Sequence, residues 1–112
     1  NFTNTGTLSI TGVGFKPKMI QSFVVGTQSD RNFESFGVCD SSLNQFAQSN
    51  GGRESGGESV GVLSSFTSGI LSCGITGAEA VRATITSIDA DGITMECHAA
   101  ATPSTFCLMF KA

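Results

Sequence analysis

Few residues of this 112-residue chain belong to types that do chemistry by themselves, so their spacing decides what they could build. One histidine, His98, follows Cys97, and three further cysteines stand at positions 39, 73 and 107. A zinc site needs two thiolates two to four residues apart so that one turn offers both to the ion. No pair here has that spacing, and strand alternation sends Cys97 and His98 to opposite faces. The cysteines read as free, mostly buried thiols that pack as small apolar groups. In an oxidising compartment four cysteines allow three disulfide connectivities, of which the pairing of Cys97 with Cys107 is the least expected.

Asp89-Ala90-Asp91-Gly92 opens like a calcium loop, but the carboxylate that completes such a loop belongs six residues after the glycine, where His98 stands. The plainer reading is a hairpin turn whose Asp side chains accept from nearby backbone N–H groups. Gly12-Val13-Gly14 lacks the third glycine of a dinucleotide loop and no helix pattern follows it; a phosphate-binding loop is absent too. Glu54 and Glu58 lie in or beside a glycine-rich stretch, a poor place for paired acid and base work that needs sub-ångström placement. His98 has no nucleophile-elbow serine near it in sequence. The expectation is therefore a protein that is not an enzyme, with no catalytic residue, no metal and no cofactor. Asn1-Phe2-Thr3 formally matches a glycosylation acceptor, and Phe2, alone in a polar first segment, either staples the terminus to the core or inserts into a neighbouring subunit.

The elements that would carry these residues are strands. Thr7-Leu8-Ser9-Ile10-Thr11 alternates with the period of two that a half-buried strand requires, Gly12 and Gly14 permit a turn, and Pro17 fixes φ before the next extended run. From Lys18 to Val25, Met19, Phe23 and Val25 share one face while Ile20 and Val24 share the other, which predicts a strand covered on both sides. Phe33, Phe36, Val38 and Cys39 suit a short strand; Asp40-Ser41-Ser42 suits the cap of one helical turn carrying Leu43, Phe46 and Ala47. Asn50 to Gly57 reads as a mobile loop, and Ser59 to Phe66 and Ile70 to Ile75 as two further strands. Val81, Ala83 and Ile85 alternate up to the Asp91-Gly92 turn, and Ile93, Met95 and Cys97 alternate away from it. With Asp89 opposite Ile93, these residues share one core face. A second hairpin through Ala99 to Pro103 would set Cys97 opposite Phe106 and bring Phe106, Leu108 and Phe110 into the same core, completing a C-terminal meander.

Seven to eight short strands around a polar central loop region predict an all-β, single-domain antiparallel β-sandwich, jelly-roll-like or otherwise, spanning residues 1–112, with a closed barrel as the alternative. Ser and Thr number 27 and Gly 14, with no Trp or Tyr, and only 13% of residues are charged, which suits a domain set beside other protein. A net charge of −3 argues against broad electrostatic capture of nucleic acid or an anionic membrane, and no apolar stretch approaches the ~20 residues of a membrane span.

The order of segments resembles a known group. Thr11-Gly12-Val13-Gly14-Phe15-Lys16-Pro17-Lys18-Met19-Ile20 is similar to the opening of small β domains in tailed-bacteriophage virion structural proteins. Ala83-Thr84-Ile85-Thr86-Ser87-Ile88-Asp89-Ala90-Asp91-Gly92-Ile93-Thr94 stands where those domains carry their closing hairpin, and Ser104 to Lys111 where they carry a last aromatic strand. Ile93 occupies a place that is usually aromatic there, and Phe23 is the aromatic left after the Pro17 segment. The resemblance covers nearly the whole chain through turn and core positions: Phe15, Pro17, Phe23, Ile85, Gly92, Ile93, Met95, Phe106, Leu108 and Phe110.

It implies a virion component assembled in the bacterial host cytoplasm. The role would be a head decoration or cement protein, or a tail or fibre module, that contacts a major capsid or tail protein and copies of itself as a homo-oligomer. Phe2 and the segment Asn50, Gly51, Gly52 and Arg53 are the expected bridging residues. The rival expectation is a carbohydrate- or receptor-binding module of a phage fibre.

Overall fold

The two-residue alternation read along the chain becomes strand pairing almost everywhere in the computed structural model, which describes residues 5–28, 31–53, 62–66, 69–75, 78–99 and 104–112. Among these there is no helix and there are nine strands: β1 (Gly6–Ile10), β2 (Met19–Gln28), β3 (Arg31–Asp40), β4 (Gln45–Arg53), β5 (Val62–Phe66), β6 (Leu71–Ile75), β7 (Ala78–Asp89), β8 (Gly92–Ala99) and β9 (Ser104–Lys111). They form two antiparallel sheets, four strands in the order β1-β8-β7-β6 and five in the order β5-β4-β3-β2-β9. The chain is an all-β protein of the small β-sandwich kind.

The core lies between the sheets. Ala83, Ile85, Ile93, Met95 and Cys97 fill it from the four-stranded sheet, Ile20, Val24, Cys39 and Ala47 from the five-stranded one, and Ile70 enters just before β6. Apart from Val81, whose side chain lies outside the described residues, the β7–β8 set is the one expected from alternation, but its register differs from the expected pairing of Asp89 with Ile93. Asp89 pairs with Gly92 and Ile88 with Ile93, and a bulge between Ile85 and Ser87 then sets Ile85 opposite Met95 and Ala83 opposite Cys97. The extra residue absorbs the one-residue offset, so the large side chains keep the core face.

Over β3, β4 and the middle of β2 the inner surface of the five-stranded sheet is built from small residues. Ser22, Ser35, Gly37, Ala47 and Ser49 are buried there, and Ser22 Oγ donates to the Ile70 carbonyl at 2.5 Å. A Cβ on Gly37 would overlap that same carbonyl. The segment leading into β6 thus approaches the backbone of β2 and β3 directly, which only hydrogen and hydroxyl side chains permit. A second tie crosses the sandwich. Gln45 Oε1 accepts from the Ile85 N–H at 2.7 Å and its Nε2 donates to the Ile85 carbonyl at 2.8 Å. Ile70 N–H bonds the Ala83 carbonyl, so Ile85 lies two residues beyond the end of β6 along the same edge of β7. The Gln45 amide stands in for the missing strand residue and satisfies a backbone pair that would otherwise be left open.

Several expectations are corrected. β9 does not pair with β8 in a meander; it crosses to the other sheet and pairs with β2, Phe23 opposite Cys107 and Ser22 opposite Leu108. Alternation fixed the face, since Leu108 and Phe110 do pack against the core, but it carried no information about the neighbour. The Phe106 side chain lies outside the described residues. Asp40 does not cap a helical turn. Its carboxylate accepts from Ser42 and Asn44 N–H, as a cap would, yet Leu43 turns to a φ of 65° and the Asp40 N–H donates to the Asn44 carbonyl. The chain reverses there, and Phe46 and Ala47 fall on opposite faces of β4. Asn50 to Arg53 are strand, not loop, paired with Glu34 to Arg31; the rest of the expected loop lies outside the described residues. The Lys18–Val25 segment is covered on one face only: Ile20 and Val24 are buried, but Phe23 is 43% exposed and is not a core residue.

Candidate functional site

The uncovered side of β2 belongs to a broader surface. On β4, β3, β2 and β9 the residues that alternate with the core set point outward, and the registers arrange them in rows across the strands. Phe46, Val38, Gln21 and Met109 form one row; Gln48, Phe36, Phe23 and Cys107 form the next; Asn50, Glu34 and Val25 follow. Phe36 is 45% exposed and Met109 48%, and Phe46 and Val25 are exposed as well. Phe23 and Phe36 stand directly opposite each other on neighbouring strands, and both are more than 40% exposed.

The surface is apolar in the middle and sparsely charged. Among the described outward residues of these four strands, Glu34, Asp40 and Lys111 carry charge, Asp40 and Lys111 sharing a row with Met19 between them. Hydrogen bonds from the Asn44 side chain and backbone, then from the Ser42 backbone, hold the Asp40 carboxyl below its ordinary range. A shallow groove of about 300 Å³ lies at the other end, lined by Phe23, Phe36, Glu34, Gln48 and Asn50 along with Ser35 and Ser49. Two aromatic faces beside two carboxamides and a carboxylate can take up an apolar surface with a polar rim.

Of the other residues singled out in the sequence, several tie turns and strands together, while Glu54, Glu58 and the Cys73 side chain lie outside the described residues. Asp91 sits in a cradle of backbone N–H groups: Gly12 donates to one carboxylate oxygen at 3.0 Å, Gly14 to the other at 2.5 Å, and Val13 to the Asp91 carbonyl at 3.2 Å. Gly12 and Gly14 reach φ of 83° and 84°, a conformation other residues avoid, which aims alternate N–H groups at one anion. A Cβ on Gly92 would overlap the Ile10 carbonyl. The opening Thr11-Gly12-Val13-Gly14 segment and the Asp91-Gly92 hairpin are therefore one device, the first cradling the carboxylate of the second. Asp89 accepts from the hydroxyls of Ser87 and Thr94 at 2.9 and 3.0 Å. The turn reading of this motif is what the geometry supports, although Asp91 bonds across the sandwich edge instead of locally.

Cys97 is buried and His98 exposed on the opposite face, where its Nε2 lies 3.2 Å from Thr84 Oγ1. Cys39 and Cys97 are both buried, and burial, assisted by neighbouring Asp40, pushes the Cys39 thiol up to about 11. Cys107 is free but exposed, on the outer face beside Phe23. Pro17 is buried and Phe15 half-buried.

Of the expected bridging residues, Asn50 joins the outer face, Gly51 is half-buried within β4 and Gly52 is paired with Asn32; Phe2 and the Arg53 side chain lie outside the described residues. The outer face itself was missed because Met19, Phe23 and Val25 were assigned a cover. The alternation of Phe36 and Val38 with Ser35, Gly37 and Cys39 was the available signal that the large residues of β3 point away from a small-residue core. Comparison with known proteins finds no match among protein-family models, curated proteins or solved structures.

Proposed function

We propose that this chain is a non-enzymatic virion structural protein of a tailed bacteriophage, a capsid decoration or tail-associated subunit that stabilises a symmetric particle through protein–protein contacts. The observation that carries this reading is the exposed apolar outer face of the five-stranded sheet. Contiguous apolar patches of more than a few hundred Å² are rare on monomeric proteins, and they mark contact surfaces. A face with few charges also loses little to desolvation when another protein covers it, and a shell multiplies a weak contact by avidity. The cradle that links the Gly12–Gly14 segment to Asp91 gives the resemblance to virion domains a physical content, because its two most specific motifs are two halves of one structural lock. Quantitative mass spectrometry of purified particles from the infected host tests the reading. Many copies per particle, in fixed ratio to the major capsid or tail protein, are expected; absence from the particles would refute it.

The groove at Phe23 and Phe36 supports a second reading, a carbohydrate-binding module. Aromatic faces stack on the C–H faces of sugars while Gln48, Asn50 and Glu34 offer partners for hydroxyls. Binding of the isolated chain to a glycan array, abolished by Phe36→Ala, is the expected outcome under that reading.

A further inference from the structure

We infer that the outer face of the five-stranded sheet is covered by a second copy of this chain, packed face to face about a twofold axis that runs along the strands between β2 and β3. The inference deepens the structural reading above and rests on it for its purpose, though not for its geometry. Three observations lead to it.

The first is size. Four strands at ~4.8 Å spacing, with outward residues about 6.8 Å apart along each, give a flat footprint of roughly 500 Å² per copy. Side-chain relief raises the accessible area above its projection, so two copies together bury about 1,000–1,200 Å² or more, the lower bound of a specific interface. A concentration-dependent dimer follows, not an obligate one.

The second is the distribution of charge. Face-to-face packing of two aligned sheets admits two twofold arrangements. An axis across the strands exchanges the ends of each strand and sets Asp40 of one copy over Glu34 of the other, twice, like charge on like charge. An axis along the strands keeps the rows and exchanges the columns, β3 with β2 and β4 with β9. Lys111 then lies over the Asp40–Asn44 turn of the second copy, and Glu34 lies over Val25 instead of over another carboxylate. Charge placement selects this arrangement.

The third is complementarity within the rows. Under the same exchange Phe36 lies over the second copy's Phe23, and Phe46 over its Met109, an aromatic ring against a thioether. An isologous contact needs a surface that matches itself after rotation. Here the two central columns carry Phe against Phe in the same row, and the two outer columns carry Phe against Met.

The test uses the full chain and its measured mass in solution. Light scattering across a concentration series is expected to rise from the 11.5 kDa monomer toward twice that value. Phe23→Lys and Phe36→Glu should each remain monomeric with unchanged circular dichroism, since both residues are exposed. An equimolar mixture of those two variants should recover the dimer, because the substituted positions face each other across the interface while the intact Phe23 and Phe36 do the same. Val25→Glu, which sets a carboxylate over Glu34 of the second copy at the edge of the contact, keeps the test open if either central variant misfolds, and should weaken dimerisation by about tenfold, the factor that ~1.4 kcal/mol represents. A chain that stays monomeric at every concentration overturns the inference. So does a mixture that remains monomeric, or a glycan that binds Phe23 and Phe36 of a monomer. A monomer that is nonetheless found in particles would refute the dimer and leave the virion reading standing; a dimer absent from particles would do the reverse.

Discussion

Over β3, β4 and the middle of β2 the two faces of the five-stranded sheet reverse the usual distribution of side chains. The face turned to the core carries Ser22, Ser35, Gly37, Ala47 and Ser49, and the face turned to solvent carries Phe23, Phe36, Phe46 and Met109. Small residues are inside because the opposing backbone at Ile70 comes close enough to accept a hydrogen bond from Ser22. The large residues outside are not explained by anything the single chain packs against them. On the dimer proposed above, folding and association divide the sheet between them, one face suited to backbone approach and the other to the second copy.

Neighbouring positions of β2 test that division most sharply. Ile20→Ala removes a fully buried side chain and should cost about 3–4 kcal/mol in urea unfolding, within the range for large-to-small core changes. Phe23→Ala removes a larger side chain three residues away and should change the stability of dilute protein by less than about 0.5 kcal/mol. A comparable loss at both positions would break the comparison, since it would mean that Phe23 packs within the monomer. Gly37→Ala comes next. The added methyl overlaps the Ile70 carbonyl and displaces Ser22 Oγ, so about 2–3 kcal/mol of stability should be lost, although alanine adds only one carbon. A neutral outcome would mean that the sheets can separate without penalty.

How much of this was legible in the sequence follows from what alternation encodes. Period two states which residues share a face, and it identified Ala83, Ile85, Ile93, Met95 and Cys97 as one core set even though a bulge moved the register under it. It says nothing about which strand lies alongside, so β9 was assigned to β8 when its partner is β2. It also does not distinguish a face covered by the same chain from a face that awaits another. Met19, Phe23 and Val25 carried the signal of a covered surface, and only coordinates separate the two cases. Asp40 illustrates a third limit. Its side chain supplies the hydrogen bonds of a helix cap, but the same donors close a reverse turn once Leu43 takes a positive φ.

The lock at the sandwich edge gives a smaller effect. Asp91→Ala deletes two charge-assisted hydrogen bonds from Gly12 and Gly14, but these N–H groups are exposed and water replaces the carboxylate, so about 1–1.5 kcal/mol should be lost. Faster amide exchange confined to Gly12 and Gly14 is the expected signature, and global acceleration would assign Asp91 a core role instead. The outer face has its own probe in Cys107. At pH 8 an exposed thiol reacts readily, whereas Cys39, buried and raised to about 11, holds little thiolate. Alkylation of native protein should modify Cys107 and spare Cys39, and the rate at Cys107 should fall as protein concentration rises if a second copy covers it. A rate independent of concentration would leave the face open.

The smallest effect belongs to Asp40, at the end of the same face. Its carboxyl is held low by the Asn44 side chain first, then by the backbone of Asn44 and Ser42. A folded pKa below the unfolded one means that protonation favours unfolding. The stabilisation is complete above the unfolded carboxylate value of about 3.9 and is lost as pH falls through the lower folded value. Asn44→Ala removes the leading cause, so a carboxyl-carbon NMR titration should show the Asp40 midpoint moving up toward the ordinary range. The melting temperatures of wild type and variant should converge as the pH is lowered through that window. The group is fully exposed, so only the direction of the change matters. A midpoint unmoved by Asn44→Ala would show that the turn's backbone alone orients the carboxylate. Lys111 of a second copy would still meet a charge there, but one held by the backbone N–H groups of the Asp40–Asn44 turn and not by the Asn44 amide.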